Sequence, residues 1–144
     1  TPMRPSDDHG PMSLDKQLTL LRERVTGVRG VVVAATDGLL VAHEGAIGHD
    51  PHDLAALAAA AYGIARQSGQ ILNQGDHQHT AIHNANGHYV VYTVNDQALL
   101  GVVAETGLNI AQLNLQVRAS TPDLDRALRE EAGLGPYRLD PAAE

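Results

Sequence analysis

The stretch that decides the fold runs from residue 25 to residue 42 and reads VTGVRGVVVAATDGLLVA. Its segment from Val28 to Thr36 is a run of β-branched and small residues, which predicts a strand that is covered on both faces. The dipeptide Asp37-Gly38 is a strong signal for a tight turn. We therefore expect Leu39 to Glu44 to return beside the first strand as the second arm of a hairpin.

Two longer helices flank this hairpin. The first is predicted to begin after Ser13, a good N-cap residue, and to end near Gly27. The second is predicted to begin at Pro51 behind an Asp50 cap and to reach about Asn73. The apolar residues of the first helix recur at helical spacing and form one stripe: Leu14, Leu18, Leu21 and Val25.

The second half of the chain predicts three more strands. Two turns that contain asparagine, Asn86-Gly87 and Asn95-Asp96, divide a strand-forming region into three parts. A helix from Thr106 to Ala119 and a short helix from Pro122 to Ala132 are predicted to follow. The three strands are predicted at Asp76–Asn84, His88–Val94 and Ala98–Ala104.

The resulting order of elements, α-β-β-α-β-β-β-α, predicts an α+β fold. Because most strands are joined by tight turns, the five-stranded sheet is expected to be mostly antiparallel. One long helix should cover one face of this sheet and two helices the other. We expect residues 1–12 to be a flexible N-terminal arm, residues 13–119 to be the domain, and residues 120–144 to hold the short helix and a C-terminal tail.

The second helix carries an unusual surface. No charged residue lies between Asp53 and Arg66, so the helix lacks the polar back of an ordinary surface helix. We expect one stripe to lie on the sheet and the opposite face to be covered by something else. The expected sheet-facing residues are Leu54, Leu57, Ala61, Ile64, Ser68 and Ile71, and the expected outer residues include Ala55, Ala59, Tyr62 and Arg66.

Composition excludes several classes of protein. The 144 residues include 17 acidic and 10 basic side chains, and the formal charge of −7 argues against a nucleic acid or an anionic membrane as the main partner. Cysteine is absent, which excludes disulfides, thiol nucleophiles and cysteine-based metal centres. No apolar run reaches the length of a membrane span, and the first 12 residues do not read as a secretory signal. We therefore expect a cytoplasmic protein.

No catalytic motif is present in the sequence. The glycine-containing segments lack the Lys-Ser/Thr pair of a nucleotide phosphate loop, so the chain is not expected to be a GTPase itself. No Gly-x-Ser-x-Gly nucleophile elbow occurs either. We expect neither enzymatic activity nor a cofactor.

The histidines are the best candidates for a site. His77 and His79 are two residues apart and are expected to share one strand face, while His83 and His88 flank a turn and could pair across two strands. Three readings stay open at this point. The four histidines could bind zinc, they could make an interface sensitive to pH, or they could be solvated surface residues.

Three segments resemble the roadblock/LC7 (dynein light chain) family, and especially its bacterial members of the actinobacterial type. They are the opening stretch 25–42, the alanine-rich helix Asp53–Asn73, and residues 99–111, which read LLGVVAETGLNIA. The resemblance covers about Leu14 to Ala119. It implies a profilin-like α/β/α sandwich and a non-catalytic protein that regulates or scaffolds.

The resemblance also implies partners. Family members form dimers through their second helices and third strands, and they serve as platforms for Ras-like small GTPases. The resemblance to actinobacterial members also implies a sensor-kinase-like protein as a partner. The implied C2 homodimer interface comprises Ala55, Ala59, Tyr62, Arg66, His77, His79, Ala81 and His83, so Tyr62→Glu is expected to give a monomer or an aggregate. The alternative is a sensor module of profilin-like or PAS-like layout that binds a small molecule.

Overall fold

The computed structural model describes residues 11–135, so most of the expected N-terminal arm and the last part of the expected tail lie outside the described residues. The element order is α-β-β-α-β-β-β-α, as the sequence predicts. The helices are α1 (Leu14–Arg24), α2 (Pro51–Ile71) and α3 (Ile110–Ala132). The strands are β1 (Val28–Ala35), β2 (Leu40–Gly45), β3 (His79–Asn84), β4 (Gly87–Asn95) and β5 (Ala98–Ala104).

The five strands form one sheet in the order β2-β1-β5-β4-β3, and every neighbouring pair is antiparallel. The last strand of the meander, β5, pairs with the first strand of the hairpin, β1, and so joins the two halves of the chain at the centre of the sheet. The edges are therefore β2 on one side and β3 on the other.

The larger part of the core lies between the sheet and the helices α1 and α3. Its members are aliphatic apart from Tyr92, whose hydroxyl donates a hydrogen bond to Asn114 on α3. The side chain of Leu100, on the central strand, is completely buried there. The buried residues of this core are Leu14, Leu18, Leu21, Val25, Val31, Val33, Val90, Tyr92, Val94, Ala98, Leu100, Val102, Leu113, Val117, Leu124, Ala127 and Leu128.

The other face of the sheet is covered by α2 alone and has a much thinner core. Its fully covered members are Ala58, Tyr89, Val91 and Leu99. The Tyr89 hydroxyl donates a 2.7 Å hydrogen bond to the backbone carbonyl of Leu54, which ties the start of α2 to strand β4. The division of the helices, one on this face and two on the other, is as expected from the sequence.

A glycine in the central strand makes room for this tyrosine. A side chain at Gly101 would place its Cβ in contact with the Tyr89 hydroxyl and 2.9 Å from the tyrosine Cζ. Real Cβ atoms essentially never come within 3.0 Å of such a neighbour. Gly101 therefore leaves room for the Tyr89 ring beneath α2.

The predicted starts of α1 and α2 are confirmed at atomic level. Ser13 Oγ accepts a hydrogen bond of 3.2 Å from the backbone N–H of Lys16 at the start of α1. Asp50 Oδ1 accepts one of 2.9 Å from the backbone N–H of His52 at the start of α2, and Pro51 is the first residue of that helix. Each cap satisfies one of the backbone donors that a helix N-terminus leaves without an internal partner.

The end of the domain differs from the expectation. The predicted helix Thr106–Ala119 and the predicted short helix Pro122–Ala132 are one helix, α3, which starts at Ile110 behind an Asn109 cap and runs through Pro122. A proline inside a helix removes a hydrogen bond and costs about 3 kcal/mol. The turn after it offsets this cost, because Leu124, Ala127 and Leu128 are all buried against α1 and the sheet.

Candidate functional site: the outer stripe of α2 and the β3 edge

The surface of α2 that faces away from the sheet is apolar. Leu57, Ile64 and Ile71 lie seven residues apart on one side of the helix and are 48%, 73% and 74% exposed. Exposed small residues accompany them along the same side. We call this set the outer stripe: Ala56, Leu57, Ala60, Gly63, Ile64 and Ile71.

The orientation of α2 differs in part from the expectation: Leu54 and Ala61 pack on the sheet as expected, but other residues do not. Leu57, Ile64 and Ile71 were expected on the sheet and are exposed, whereas Ala55, expected outside, is completely buried. The reason is packing: alanines let the α2 backbone lie close over the large rings and side chains of the sheet, which a row of leucines would hold away.

Of the other residues expected at an interface, some are half-buried and others are exposed. Ala59 and Tyr62 are half-buried and pack against the thin core under α2, so they offer little free surface. Arg66 is exposed, and Ala81 is half-buried on β3 against the larger core. The interface expected from the sequence is therefore not a single exposed patch, and a substitution at Tyr62 would also disturb the packing within one chain.

The strand that follows α2 in the chain is β3, which pairs with β4 along its whole length. No strand among residues 11–135 lies beyond it, so the backbone groups on its outer side lack a strand partner within this part of the chain. An unpaired strand edge is a template for pairing with another chain. The chain thus offers two features that another chain could cover, the β3 edge and the outer stripe of α2.

His77 and His79 do not share a face. The strand begins only at His79, and His77 precedes it, with its ring 5.6 Å from that of Tyr62 on α2 and its two nitrogens each 2.7 Å from a threonine hydroxyl, those of Thr80 and Thr93. The ring of His79 instead lies on Tyr92, which belongs to the core under α1 and α3.

His77 is expected to make folding stability depend on pH. Burial lowers its pKa below the ordinary value of 6.5, and the nearby positive charge of His79 lowers this pKa further. The unfolded chain therefore takes up this proton at a higher pH than the folded chain does. The free energy of unfolding is therefore unaffected by this protonation above pH 6.5. It decreases as the pH falls from 6.5 to the pKa of His77 in the folded chain.

The variant His77→Gln tests this dependence. Its urea midpoint should fall less than that of the unmodified protein between pH 7.5 and pH 5.5, since glutamine has no proton to take up. The exposed strand histidine His43 supplies the control, and His43→Gln should keep the full pH dependence. Equal slopes for the unmodified protein and His77→Gln would contradict the assignment.

His83 and His88 do come together. They are directly paired across β3 and β4, and their Nδ1 atoms are 2.8 Å apart. The two rings meet edge to face, with their centres 4.6 Å apart. Among residues 11–135, no group of three or more histidine, aspartate or glutamate side chains converges as a metal site would require.

A polar groove opens beside the last turns of α2. Its volume is about 720 Å³, and it lies between this helix and the strand ends of the sheet. Arg66, Asp76 and Asp96 bring charges of both signs to it.

Within the described residues, no helix is both long enough and apolar enough to span a membrane.

The sequence profile of the Roadblock/LC7 domain matches residues 14–104 of the chain. This chain belongs to the Roadblock/LC7 family. The match begins at the first residue of α1 and ends with β5, so it spans the complete sheet and the helix α2 that carries the outer stripe. A sequence search of curated proteins finds no match.

Solved structures agree with this Roadblock/LC7 fold. A Roadblock/LC7 domain from Streptomyces avermitilis is 22% identical with a TM-score of 0.73, over 85% of this chain and 99% of that one. MglB from Myxococcus xanthus is 14% identical with a TM-score of 0.74, over 81% and 95% of the two chains. Profilin IB from Acanthamoeba castellanii, 13% identical over 78% and 96%, has a TM-score of 0.54, which agrees with the profilin-like layout.

Proposed function

We propose that this Roadblock/LC7 protein is a non-catalytic homodimeric regulator that binds a Ras-like small GTPase in the bacterial cytoplasm. One observation carries the proposal: in a Roadblock/LC7 fold, α2 presents an apolar outer stripe and the strand that follows it in the chain, β3, has an open edge. A second copy of the chain is the occupant that satisfies both features at once. The two chains together would offer the GTPase a surface that neither has alone.

The stripe has the chemistry of a helix–helix contact. Its aliphatic side chains recur every seven residues, and small residues lie between them, so two copies of α2 can approach closely. Among residues 11–135, four of the seven exposed large apolar side chains are in or directly after α2: Leu57, Ile64, Ile71 and Leu72. A concentration of exposed apolar surface of this kind is typical of an interaction site.

A two-fold axis suits both elements. In a C2 dimer each patch meets its own copy, so a self-complementary stripe and a strand edge that pairs with itself need no second kind of surface. Pairing of two β3 strands would also remove the open edge. We expect such an interface to bury roughly 1,600 Å² or more in total.

The choice of a small GTPase as partner rests on the family. Roadblock/LC7 proteins are in general regulatory and non-catalytic, and this sequence contains no phosphate-binding loop of its own. The net charge of −7 favours association with a partner that presents basic residues. A sensor-kinase-like protein is a further partner that the resemblance to actinobacterial members suggests.

The groove beside α2 keeps a sensor module as the second candidate. At about 720 Å³ it has room for a small molecule, and Tyr62, Arg66 and His77 contribute polar groups to it. The thin core under α2 argues against a pocket deeper in the fold, since Ala58 and Leu99 pack there with no exposed surface.

Affinity capture in defined nucleotide states tests the proposal. The immobilised protein is incubated with lysate of the source organism plus GDP, a non-hydrolysable GTP analogue, or EDTA, and any retained small GTPase is then purified. We expect the purified GTPase to bind directly in one nucleotide state, with a stoichiometry of GTPase to protein chains that is set by the dimer. No binding to any small GTPase present in that lysate would contradict the proposal and favour the sensor module.

A further inference from the structure

The flank that carries the β3 edge holds a pair of imidazoles in an unusual arrangement. His83 on β3 and His88 on β4 stand directly opposite each other, so their side chains lie on the same face of the sheet. The two atoms that meet are both Nδ1, at 2.8 Å. A hydrogen bond at this distance requires that one Nδ1 carries a proton and the other presents its lone pair.

A metal ion can take the place of that shared proton. With both imidazoles neutral and protonated at Nε2, the two Nδ1 lone pairs point toward one position between the rings. Zinc bonds to histidine nitrogen at about 2.0–2.1 Å, and a tetrahedral angle then separates the two nitrogens by about 3.3 Å. The rings need to open by only about half an ångström, which the exposed His83 side chain can accommodate.

The other histidines of this flank are arranged differently. Both ring nitrogens of His77 are engaged by the hydroxyls of Thr80 and Thr93, so His77 has no free lone pair to offer. His79 lies on the ring of Tyr92, on the same face of the sheet as His83. Among the histidines of residues 11–135 on this side of the sheet, His83 and His88 are therefore the pair whose ring nitrogens already converge.

We propose that His83 and His88 chelate a divalent transition-metal ion of the zinc class through their Nδ1 atoms. Imidazole nitrogen is a preferred ligand for zinc, copper and nickel, whereas magnesium and calcium prefer oxygen. The site lies on a strand pair whose register is fixed by backbone hydrogen bonds, so the two residues already stand opposite each other before the metal arrives.

A second copy of the chain can supply a third ligand, and this step rests on the dimer proposed above. If two β3 strands pair antiparallel about an axis at Ala81, residue 79 of one chain stands opposite residue 83 of the other. His79 of the partner subunit then lies beside His83 on the same face. Three histidines and one open position are a common zinc coordination set, and two such sites would link the two chains.

Zinc titration of the metal-free chain tests the chelating pair. The protein is treated with EDTA, dialysed, and titrated with zinc chloride at pH 7.5 in a calorimeter, alongside His83→Gln and His88→Gln. We expect one zinc ion per chain, and an affinity at least about tenfold weaker in each variant. His43→Gln removes an exposed strand histidine at the opposite edge and should bind zinc as the unmodified protein does.

Two further readouts make the result specific. Long-range proton–nitrogen NMR spectra should report zinc on Nδ1 and the proton on Nε2 for both rings, and circular dichroism should show that the variants remain folded. Absence of binding up to millimolar zinc, or equal binding by all variants, would overturn the proposal.

Sedimentation with zinc or with EDTA separates the metal site from the dimer. Zinc should tighten the dimer of the unmodified protein at least about tenfold, and His79→Gln should abolish this effect. If the protein stays monomeric but His88→Gln abolishes zinc binding, the chelating pair is supported and the dimer of the proposed function is contradicted. If the protein is a dimer but binds no zinc, only the metal-site proposal is contradicted.

Discussion

Ile64→Glu is expected to convert the proposed dimer into a folded monomer. Ile64 is 73% exposed in the single chain, so a glutamate at this position keeps its carboxylate in water there. In the dimer the same position lies in the α2–α2 contact, where burial of an isoleucine contributes about 1.5–3 kcal/mol and an unpaired carboxylate is costly. The two-fold axis doubles the effect.

The expected dissociation constant therefore rises at least about a hundredfold. Multi-angle light scattering and sedimentation over a range of protein concentrations measure it, and the thermal unfolding of the isolated monomer reports on its fold. Ile64 is a better position for this test than Tyr62, which is half-buried against the chain's own sheet.

Leu115→Glu is the matched control. Leu115 is 67% exposed in α3, so the two substitutions place the same charge at an exposed apolar position within a helix, but only one lies on the outer stripe. The control should remain dimeric. A monomeric mass for the unmodified protein, or equal dissociation by both variants, would contradict the interface.

Leu100→Ala is expected to cause the largest loss of folding stability. Leu100 is completely buried on the central strand β5, between Val33 and Tyr92 of the neighbouring strands, and it faces the large core under α1 and α3. Truncation leaves a cavity that a core held by two helices and a sheet cannot close. We expect a loss of about 3 kcal/mol or more in the free energy of unfolding.

Its neighbour Leu99 is the comparison. Leu99 is equally buried but faces the thin core under α2, where one helix can settle toward the sheet. Leu99→Ala should therefore cost less, about 2 kcal/mol. Urea unfolding at one fixed protein concentration measures both variants, since a dimer makes stability depend on concentration. A larger loss for Leu99→Ala would show that the core under α2 is the less adaptable one.

The candidate site was only partly accessible from sequence. The sequence suggests that His83 and His88 could pair across a turn, but a turn at Asn86-Gly87 would set Ala85 opposite His88. In the structure the turn is Ala85-Asn86 and Gly87 begins β4, so His83 stands opposite His88. The separation of His77 from His79 does not follow, since it depends on the strand starting at His79 rather than at Asp76.

The sequence by itself determined the elements and their order. The β-branched run before Asp37-Gly38, the caps Ser13 and Asp50 and the turn residues act through contacts a few positions away, and such local signals can be read without knowing the fold. The continuity of α3 through Pro122 could not be read in this way, because it depends on the burial of Leu124 by distant elements.

Only the tertiary structure decided which side of α2 is free. Two stripes on this helix are both apolar, one rich in alanine and one in leucine and isoleucine, so periodicity alone cannot orient it. The choice is made by the shape of the sheet beneath: Tyr89 and Leu99 fill the space, and the completely buried Ala58 lies against them. The larger aliphatic side chains are left on the outside, and they form the surface that we expect a second chain to cover.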